Sequence, residues 1–420
     1  MKKTINPLLC LLVLSVFLIS GCGGSSSSSS PFFPTPTPTP TSSSMSIVHG
    51  PRLGLVTSNE ATIAWDTNQP ALGQVKWGTS STYSSTLQES AAVTNHRLTI
   101  TGLSPGLTYH YQVVAGTASS QDNTFKTAVP AGTDFTFISM ADSRGGSDHD
   151  DIVSLPQAFL NIVQLASSKN AYFVVNAGDI FYGYNPDITQ MRGLYDSFKR
   201  ATDPLAKNTP LLVSPGNHEM SPFNSQYPTP GFDPLQLFNE EFAQPQVLPG
   251  FEGTVFSWDC GNSHFASVDS CKFQAGQKFN GFCVVNDVQL AWLENDLQQA
   301  QARHVRHIFV FSHSHAWKES TWTLWYMGNA NEVQRDKFWN LLIQYKVDAY
   351  ICGHMHLFND QLGQGGVVQW LNGNSGSVSA GTAGNNEWTL WTISGDTATA
   401  QLIDDAGAVT YTRVIHSSQP

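Results

Sequence analysis

Five short polar segments, each preceded by a run of apolar residues, constrain the fold of this chain more than any other feature. The apolar runs have the composition of buried β-strands and cover residues 135–138, 172–175, 210–213, 307–310 and 347–351. The polar segments are Ala141–Arg144, Gly178–Tyr182, Gly216–Glu219, Val310–His313 and Gly353–His356. Because the strands of open α/β sheets end along a common edge, we expect the polar side chains to meet there.

The residue types in these segments indicate a metal site. Carboxylate, amide and imidazole ligands together suit borderline metals such as zinc, iron and manganese. The set contains no thiolate, which argues against a closed structural zinc site. Two ions ~3.5–4 Å apart would activate a water molecule and clamp a phosphate ester. One carboxylate has to bridge such a pair, and Asp179 in the Gly178-Asp179 turn is the best placed.

The order and spacing of the segments resemble those of the calcineurin-like metallophosphoesterases. Within that superfamily the chain is most similar to the purple acid phosphatases, because Gly-Asp-x-x-Tyr at residues 178–182 places a tyrosine where that family carries a ligand of ferric iron. The resemblance implies two metal sites. It assigns the first metal to Asp142, Asp179, Tyr182 and His356, and the second metal to Asp179, Asn217, His313 and His354.

The resemblance also implies a reaction. Such an enzyme hydrolyses phosphomonoesters through a metal-bound hydroxide, with Fe(III) at the tyrosine site and Fe(II), Zn(II) or Mn(II) beside it. His218 matches the family histidine that contacts the phosphate and helps to protonate the leaving group. Two other functions stay open. One is a phosphodiesterase or nucleotide hydrolase on the same site, and the other is a cell-surface binding or adhesion protein with a vestigial site.

Arg144 departs from the family pattern. Purple acid phosphatases have Asp-x-Gly here and the wider superfamily has Asp-x-His, but this chain has Asp142-Ser143-Arg144. Arginine does not ligate a cation, so the first metal has to rely on Tyr182 or bind more weakly. The guanidinium either holds a substrate phosphate through two parallel N–H donors or forms a salt bridge at the rim of the site.

Tyr182 and His315 each have a structural alternative to a functional role. Tyrosine suits a half-buried position with one apolar and one wet side, so Tyr182 alone is also typical of a core residue. His315 lies two residues beyond His313 and points to the same side if the strand continues. It either contacts the substrate or is a histidine at the surface or behind the ligands. His218, Arg144 and His315 are therefore the candidate catalytic residues.

The first 44 residues predict a targeting segment and a tether. Lys2 and Lys3 precede an apolar stretch that ends before Ser20-Gly21-Cys22, which resembles a bacterial lipoprotein signal. The stretch is shorter than the ~20 residues that span a bilayer. We therefore predict a signal peptide at residues 1–21, a lipid on Cys22, and a membrane-anchored protein outside the cytoplasm, in the periplasm or at the cell surface. Residues 22–44, rich in Ser, Pro and Thr, predict a tether.

Two folded domains are expected after the tether. Residues 45–130 show the alternation of half-buried strands and resemble a fibronectin type III β-sandwich, a domain that precedes the catalytic domain in plant-type purple acid phosphatases. Residues 131–416 are predicted to form an α/β metallophosphoesterase domain of two mixed β-sheets flanked by helices. The apolar periodicity places those helices at residues 152–167, 188–206, 287–304 and 331–345.

The charge of the chain bears on its partners. The signal segment holds two of the 21 basic residues and none of the 32 acidic residues, so the mature net charge is −13. Such a chain repels extended polyanions, which argues against nucleic acid as a partner. A small phosphate ester is still attracted, because two bound metal ions outweigh the overall negative charge locally.

The cysteines fit an oxidising compartment. Cys271 and Cys283 flank a short polar loop and Cys260 lies nearby, so one disulfide among these three is expected, with its pairing open. Cys352 lies in the run before Gly353 and is predicted to be a buried thiol.

Overall fold

The computed structural model describes residues 44–144, 155–183, 187–220, 233–272, 284–318, 326–361, 363–377 and 385–419. The predicted signal peptide, Cys22, all of the tether except Ser44, and Cys283 lie outside these ranges. In the described part of the chain, no helix combines the length and the apolar character that a membrane crossing requires.

The first domain is a β-sandwich, as the sequence predicts. Its strands are β1 Ile47–Val56, β2 Glu60–Ala71, β3 Gly73–Gly78, β4 Ser85–Gln88, β5 Val93–Thr101, β6 Thr108–Ala115, β7 Ala118–Ser119 and β8 Asn123–Lys126. One sheet has the order β1-β2-β5 and the other β4-β3-β6-β7, with β8 also paired to β6. Alternate residues of β6 are buried. They pack with Trp65 and Phe125 in the core between the sheets.

The second domain contains two six-stranded sheets and six helices within the described residues. Its strands are β9 Phe135–Met140, β10 Val174–Asn176, β11 Leu211–Val213, β12 Phe256–Cys260, β13 Ser263–Ser267, β14 His307–Phe311, β15 Ala349–Cys352, β16 Phe358–Asn359, β17 Val368–Asn372, β18 Glu387–Ser394, β19 Thr397–Asp404 and β20 Val409–His416. Its helices are α1 Gln157–Ser167, α2 Ile188–Ala206, α3 Asn217–Met220, α4 Pro234–Glu241, α5 Asp287–Ala302 and α6 Met327–Gln344.

Both sheets are mixed, as predicted. The first has the order β11-β10-β9-β18-β19-β20 and the second β12-β13-β14-β15-β17-β16. Strands β9, β10 and β11 run parallel to one another, and so do β13, β14, β15 and β17. Strands β11, β14 and β15 are fully buried and mostly apolar, because both faces of each sheet are covered.

Aromatic packing holds the two sheets face to face. The ring of Phe137 in β9 stacks on Trp391 in β18 at 5.4 Å between centroids and meets Phe309 in β14 edge to face at 5.3 Å. On the outer faces, α1 and α2 pack against the first sheet, and α5 and α6 pack against the second. The domain therefore has four layers, with helices outside two central sheets.

Helix boundaries follow the predictions where local signals are strong. Helix α2 has the predicted bounds and begins after Asp187, whose side chain accepts N–H groups of its first turn. Helix α6 begins at Met327, four residues before the predicted start at Asn331. Asn331 interrupts it with an extended backbone and caps the turn that follows, since its side chain accepts the N–H of Gln334. The sequence therefore predicted the start of the regular part of α6 at Asn331, but not the helical turn that precedes it.

The expected disulfide does not involve Cys260. Cys260 is a free thiol at the end of β12, buried in the core between the sheets, and this burial raises its pKa to about 12. The pairings of Cys260 with Cys271 or Cys283 are therefore excluded, because its side chain faces the core between the two sheets of the second domain. Cys352 is a free buried thiol, as predicted.

A buried ion cluster joins the two domains. The ammonium of Lys199 in α2, whose side chain is 4% exposed, lies 3.3 Å from Asp66 of the sandwich and 2.6 Å from Glu241 of α4. Arg97 of β5 donates to the backbone oxygens of Asn239 and Phe242. Moving the two domains apart would separate these buried charges from their partners, so the contacts hold the sandwich against the second domain.

His264 is predicted to make stability depend on pH. Its ring is buried, with Nδ1 2.6 Å from Asp259 and Nε2 2.8 Å from Asp296. Burial alone would lower the pKa of His264, but the two carboxylates raise it above its ordinary value. The charged form therefore stabilises the fold fully below pH ~6.5, and this contribution is lost as pH rises through the raised pKa.

Thermal unfolding of wild type and His264→Gln between about pH 5.5 and 9 tests this. The stability difference between wild type and variant should shrink as pH rises, by about 1.4 kcal/mol for each unit of the pKa shift. Thr412→Ser, at an exposed position of β20 without an ionisable group, is the control and should give a difference that does not change with pH. A constant difference for His264→Gln would contradict the prediction.

Candidate metal centre

The five polar segments meet at one edge of the paired sheets. They follow β9, β10 and β11 of the first sheet and β14 and β15 of the second. Three of their residues, Asp142, Asp179 and His354, have left-handed backbone conformations with φ of 54°, 52° and 76°. Non-glycine residues adopt this conformation at an energetic cost, and such positions cluster at functional sites.

Four side chains assigned to the second metal converge on one point. Nε2 of His313 lies 3.0 Å from Oδ1 of Asn217, 3.1 Å from Nδ1 of His354 and 3.3 Å from Oδ1 of Asp179. Nδ1 of His313 donates to the carbonyl oxygen of Ala177 at 2.7 Å. That hydrogen bond fixes the tautomer and leaves the lone pair of Nε2 available to a metal ion.

The side chains assigned to the first metal form a second, overlapping group. Potential ligand atoms of Asp142, Asp179 and His356 lie within 4.8 Å of one another. Oδ2 of Asp142 accepts the backbone N–H of His354 at 2.8 Å. Oδ1 of Asp142 is buried, has no hydrogen-bond partner among the described residues, and lies 3.5 Å from Nε2 of His356. A buried anionic oxygen without a donor fits a cation at this position.

Asp179 belongs to both groups, as a bridging ligand must. Its side chain is 2% exposed. Burial alone would raise the pKa of Asp179, but the neighbouring imidazoles and the guanidinium of Arg144 hold it well below its ordinary value. Burial lowers the pKa of the ligand candidate His354 well below its ordinary value. The carboxylate is thus ionised and the imidazole neutral, the forms in which both bind metals.

His218 lies beside the shared carboxylate. Its Nε2 is 3.5 Å from Oδ2 of Asp179, and its backbone N–H donates to Oδ1 at 3.1 Å. Burial lowers the pKa of His218 well below its ordinary value, more than the Asp179 carboxylate raises it. A neutral imidazole still offers one N–H to a phosphoryl oxygen. To protonate a leaving group it needs the negative charge of a bound phosphate to raise its pKa.

Tyr182 is half-buried beside His218 and Arg144. Its ring centroid lies 4.9 Å from that of His218, and the guanidinium carbon of Arg144 lies 5.1 Å from the Tyr182 centroid. The structure therefore brings the tyrosine to the site, and its role as an iron ligand stays a prediction.

His315 is buried behind the ligands, so the alternative of a surface histidine is wrong. Its side chain is fully buried, and its ring centroid lies 5.8 Å from that of His354 and 5.9 Å from that of Tyr326. Burial lowers the pKa of His315 to about 3, so the ring is neutral. Neither ring nitrogen has a hydrogen-bond partner among the described residues.

Arg144 lies inside the site and not at its rim. Its side chain is 11% exposed, with Nη2 3.1 Å from Nε2 of His356 and Nε 3.7 Å from Oδ2 of Asp179. The predicted salt bridge is present, but it is made to a candidate metal ligand.

Glu219 is a positioning residue that the sequence reasoning did not single out. Its buried carboxylate accepts the backbone N–H groups of Asp179 and Ile180, each at 3.0 Å, and of Gly216 at 2.7 Å. Burial and the nearby Asp179 raise the pKa of Glu219 to about 8. A side chain at Gly216 would place its Cβ 2.2 Å from Oδ1 of Asp179. The turn at Gly216 and the turn at Asp179 therefore fit together only with glycine at position 216. The available signal was an acidic residue directly after Asn217-His218.

Two family profiles match the chain. That of the calcineurin-like phosphoesterases matches residues 151–358. That of the purple acid phosphatase N-terminal domain matches residues 37–127. The first match begins after Arg144, and so leaves out the one segment that departs from the family pattern.

Two curated proteins that are similar to this chain agree with these profiles. Acid phosphatase type 7 of Mus musculus is 25% identical over 52% of this chain and 44% of its own length. Purple acid phosphatase 23 of Arabidopsis thaliana is 26% identical over 63% of this chain and 57% of its own. The chain thus spans about half the length of these relatives.

A purple acid phosphatase from yellow lupin (Lupinus luteus) seeds superposes with a TM-score of 0.65 over 87% of this chain and 74% of the lupin chain, at 16% identity. At that identity the likeness concerns the fold, and it includes both domains. The chain therefore combines a purple acid phosphatase N-terminal domain with a domain of the calcineurin-like phosphoesterase family.

Proposed function

We propose that this protein is a metal-dependent phosphatase that hydrolyses phosphomonoesters outside the cytoplasm. One observation carries the proposal. Two groups of potential ligands, Asp142/Asp179/His356 and Asp179/His313/His354, share one carboxylate at the strand-end edge of a calcineurin-like phosphoesterase domain. Two ions held there would supply an activated water molecule and positive charge for the phosphoryl oxygens.

The protein's own residues have separate tasks in this proposal. His313, oriented by the carbonyl of Ala177, and the ionised Asp179 hold the ions in place. Glu219 accepts the backbone N–H groups of both Asp179 and Gly216, and so holds the two turns together. His218 donates its N–H to the phosphate and, once the phosphate's charge has raised its pKa, protonates the leaving oxygen.

The metals we propose are Fe(III) in the first group with Fe(II), Zn(II) or Mn(II) in the second. Nitrogen and oxygen donors without a thiolate support these ions over soft-metal sites. Cys352 is the cysteine nearest in sequence to the ligand His354. Burial raises the pKa of its thiol, which disfavours a thiolate beside the ligands. The contact of Tyr182 with Arg144, which itself contacts His356 of the first group, supports iron there.

A comparison of two chromogenic esters tests the substrate class. The purified protein should hydrolyse p-nitrophenyl phosphate faster than bis(p-nitrophenyl) phosphate under the same metal loading. Preference for the diester would favour the alternative of a phosphodiesterase or nucleotide hydrolase. Metal binding without hydrolysis of either ester, or of nucleotides, would contradict an enzyme and favour the binding protein with a vestigial site.

We also propose that lipid on Cys22 anchors the protein to a membrane outside the cytoplasm. The charged start, the short apolar stretch and the small residues before the cysteine support this. Cys22→Ala should release the protein from the membrane fraction once the signal peptide is removed, because only the acyl chains hold it. Ser25→Ala, nearby in the tether, is the control and should stay with membranes. Persistent membrane association of Cys22→Ala would contradict the anchor.

A further inference from the structure

Arg144 contacts the atoms that would ligate the first metal. Its Nη2 lies 3.1 Å from Nε2 of His356, the same nitrogen that faces Oδ1 of Asp142 at 3.5 Å. Its Nε lies 3.7 Å from Oδ2 of Asp179. The guanidinium therefore points at the ligand atoms of the first group, and its carbon lies 5.1 Å from the ring centroid of Tyr182.

These contacts and a metal ion in the first group exclude each other. A ligating imidazole nitrogen has one lone pair, and a guanidinium N–H that donates to Nε2 of His356 uses it. A metal ion would sit ~2.0–2.2 Å from the same nitrogen and from a carboxylate oxygen. Two positive charges in that small, buried space repel each other. The first metal can enter only when the side chain of Arg144 moves away.

The second group does not share this conflict. Arg144 contacts Oδ2 of Asp179, whereas His313 of the second group faces Oδ1. The remaining contacts of that group join His313, Asn217 and His354 to one another. A metal ion in the second group can thus bind Asp179 through one oxygen while Arg144 keeps the other.

The backbone around Arg144 limits how it moves. The hydroxyl of Ser377 donates to the carbonyl oxygen of Arg144, and the N–H of Ser377 donates to that of Asp142 at 3.0 Å. Asp142 itself donates its N–H to Gly178 at 2.9 Å. These hydrogen bonds hold the backbone at Asp142 and at the carbonyl of Arg144, so we expect the guanidinium to leave by side-chain rotation.

We propose that Arg144 is a built-in counter-ion that occupies the place of the first metal in the metal-free protein, so that the second group fills first. The inference rests on the proposed metal centre and adds the order of its assembly. The apparent affinity of the first group is reduced by the fraction of molecules in which the guanidinium has moved away. If that fraction is one in ten, the first group binds about tenfold more weakly than without Arg144.

Titration of the metal-free, purified protein with Mn(II) tests the proposal. Calorimetry and elemental analysis after dialysis at fixed free Mn(II) give the number of ions and their affinities. Wild type should bind one ion tightly and another at least about tenfold more weakly. Arg144→Gln, which lacks the charge, should bind the weaker ion at least about tenfold more tightly and leave the tighter one unchanged. Arg144→Met serves as a second variant if the first does not fold.

Arg413→Gln is the matched control, because Arg413 pairs with Asp360 away from the ligand groups. It should bind Mn(II) as wild type does. Two ions of equal affinity in wild type, or a weaker step unchanged in both Arg144 variants, would overturn this inference and leave the metal centre standing. A protein that binds no Mn(II) in any variant would overturn the proposed centre as well.

Discussion

Asp179→Asn is expected to abolish phosphomonoester hydrolysis and to disperse the metal pair. Asp179 is the one residue that belongs to both ligand groups, so the substitution removes a negatively charged ligand from both ions. We expect kcat/KM to fall by at least about 10²–10³-fold, the loss that follows removal of a single transition-state contact. Metal analysis of the same sample should show fewer than two ions per chain.

Asparagine is the suitable replacement because Asp179 has a left-handed backbone with φ of 52°. Asparagine tolerates this conformation, whereas alanine adds backbone strain to the loss of the ligand. We expect Asp179→Ala to abolish hydrolysis too, but less cleanly. Asp396→Asn, at a side chain that is 63% exposed, is the control and should retain both ions and full activity. An Asp179→Asn protein with both metals and substantial turnover would show that the site is wrongly assigned.

Tyr182→Phe is expected to remove the colour of the iron-loaded protein. If the phenolate of Tyr182 binds Fe(III), the oxidised wild type has a visible charge-transfer band, and phenylalanine keeps the ring but loses the ligating oxygen. The change conserves shape, so packing against His218 should persist. Because Arg144 is not a ligand, the first group then has only Asp142, Asp179 and His356. Its iron affinity should fall by at least about tenfold, a loss of the size known for residues that support a metal site.

Absorption spectra of iron-loaded wild type and Tyr182→Phe give the answer. Tyr411→Phe, a conservative change in β20, is the control and should leave the band unchanged. A colourless iron-loaded wild type, or a Tyr182→Phe protein of unchanged colour, would make Tyr182 a packing residue. The chain would still be a calcineurin-like phosphoesterase, but the proposed ferric site would be wrong.

The buried strands and the edge at which they end were predictable from sequence. The run 135–138 lies in β9 and the run 347–351 leads into β15, because a buried parallel strand has to be apolar on both faces. Strand β20 was not predicted, since most of its residues are exposed and give no buried run. Helix α4 was missed although Asp233-Pro234 is a recognisable start signal, with the Asp233 side chain capping the N–H of Leu235.

The composition of the site was more predictable than the direction of its side chains. Strand ends brought Asp142, Asp179 and His356 together, because spacing along the chain fixes which strand each ligand follows. The position of Arg144 inside the first group depends on side-chain rotation and on neighbours distant in sequence, such as Ser377. The free thiol of Cys260 depends likewise on which face of β12 meets the first sheet. Neither can be read from local patterns.

Metal content and hydrolysis measured on one sample test the central claim most directly. The protein is stripped with a chelator, reloaded with increasing Fe or Mn, and assayed with p-nitrophenyl phosphate at each step. A two-ion centre predicts that activity disappears on stripping and returns in full only as the second ion binds. Full activity in the stripped protein, or no activity with two ions per chain, would contradict a binuclear phosphatase.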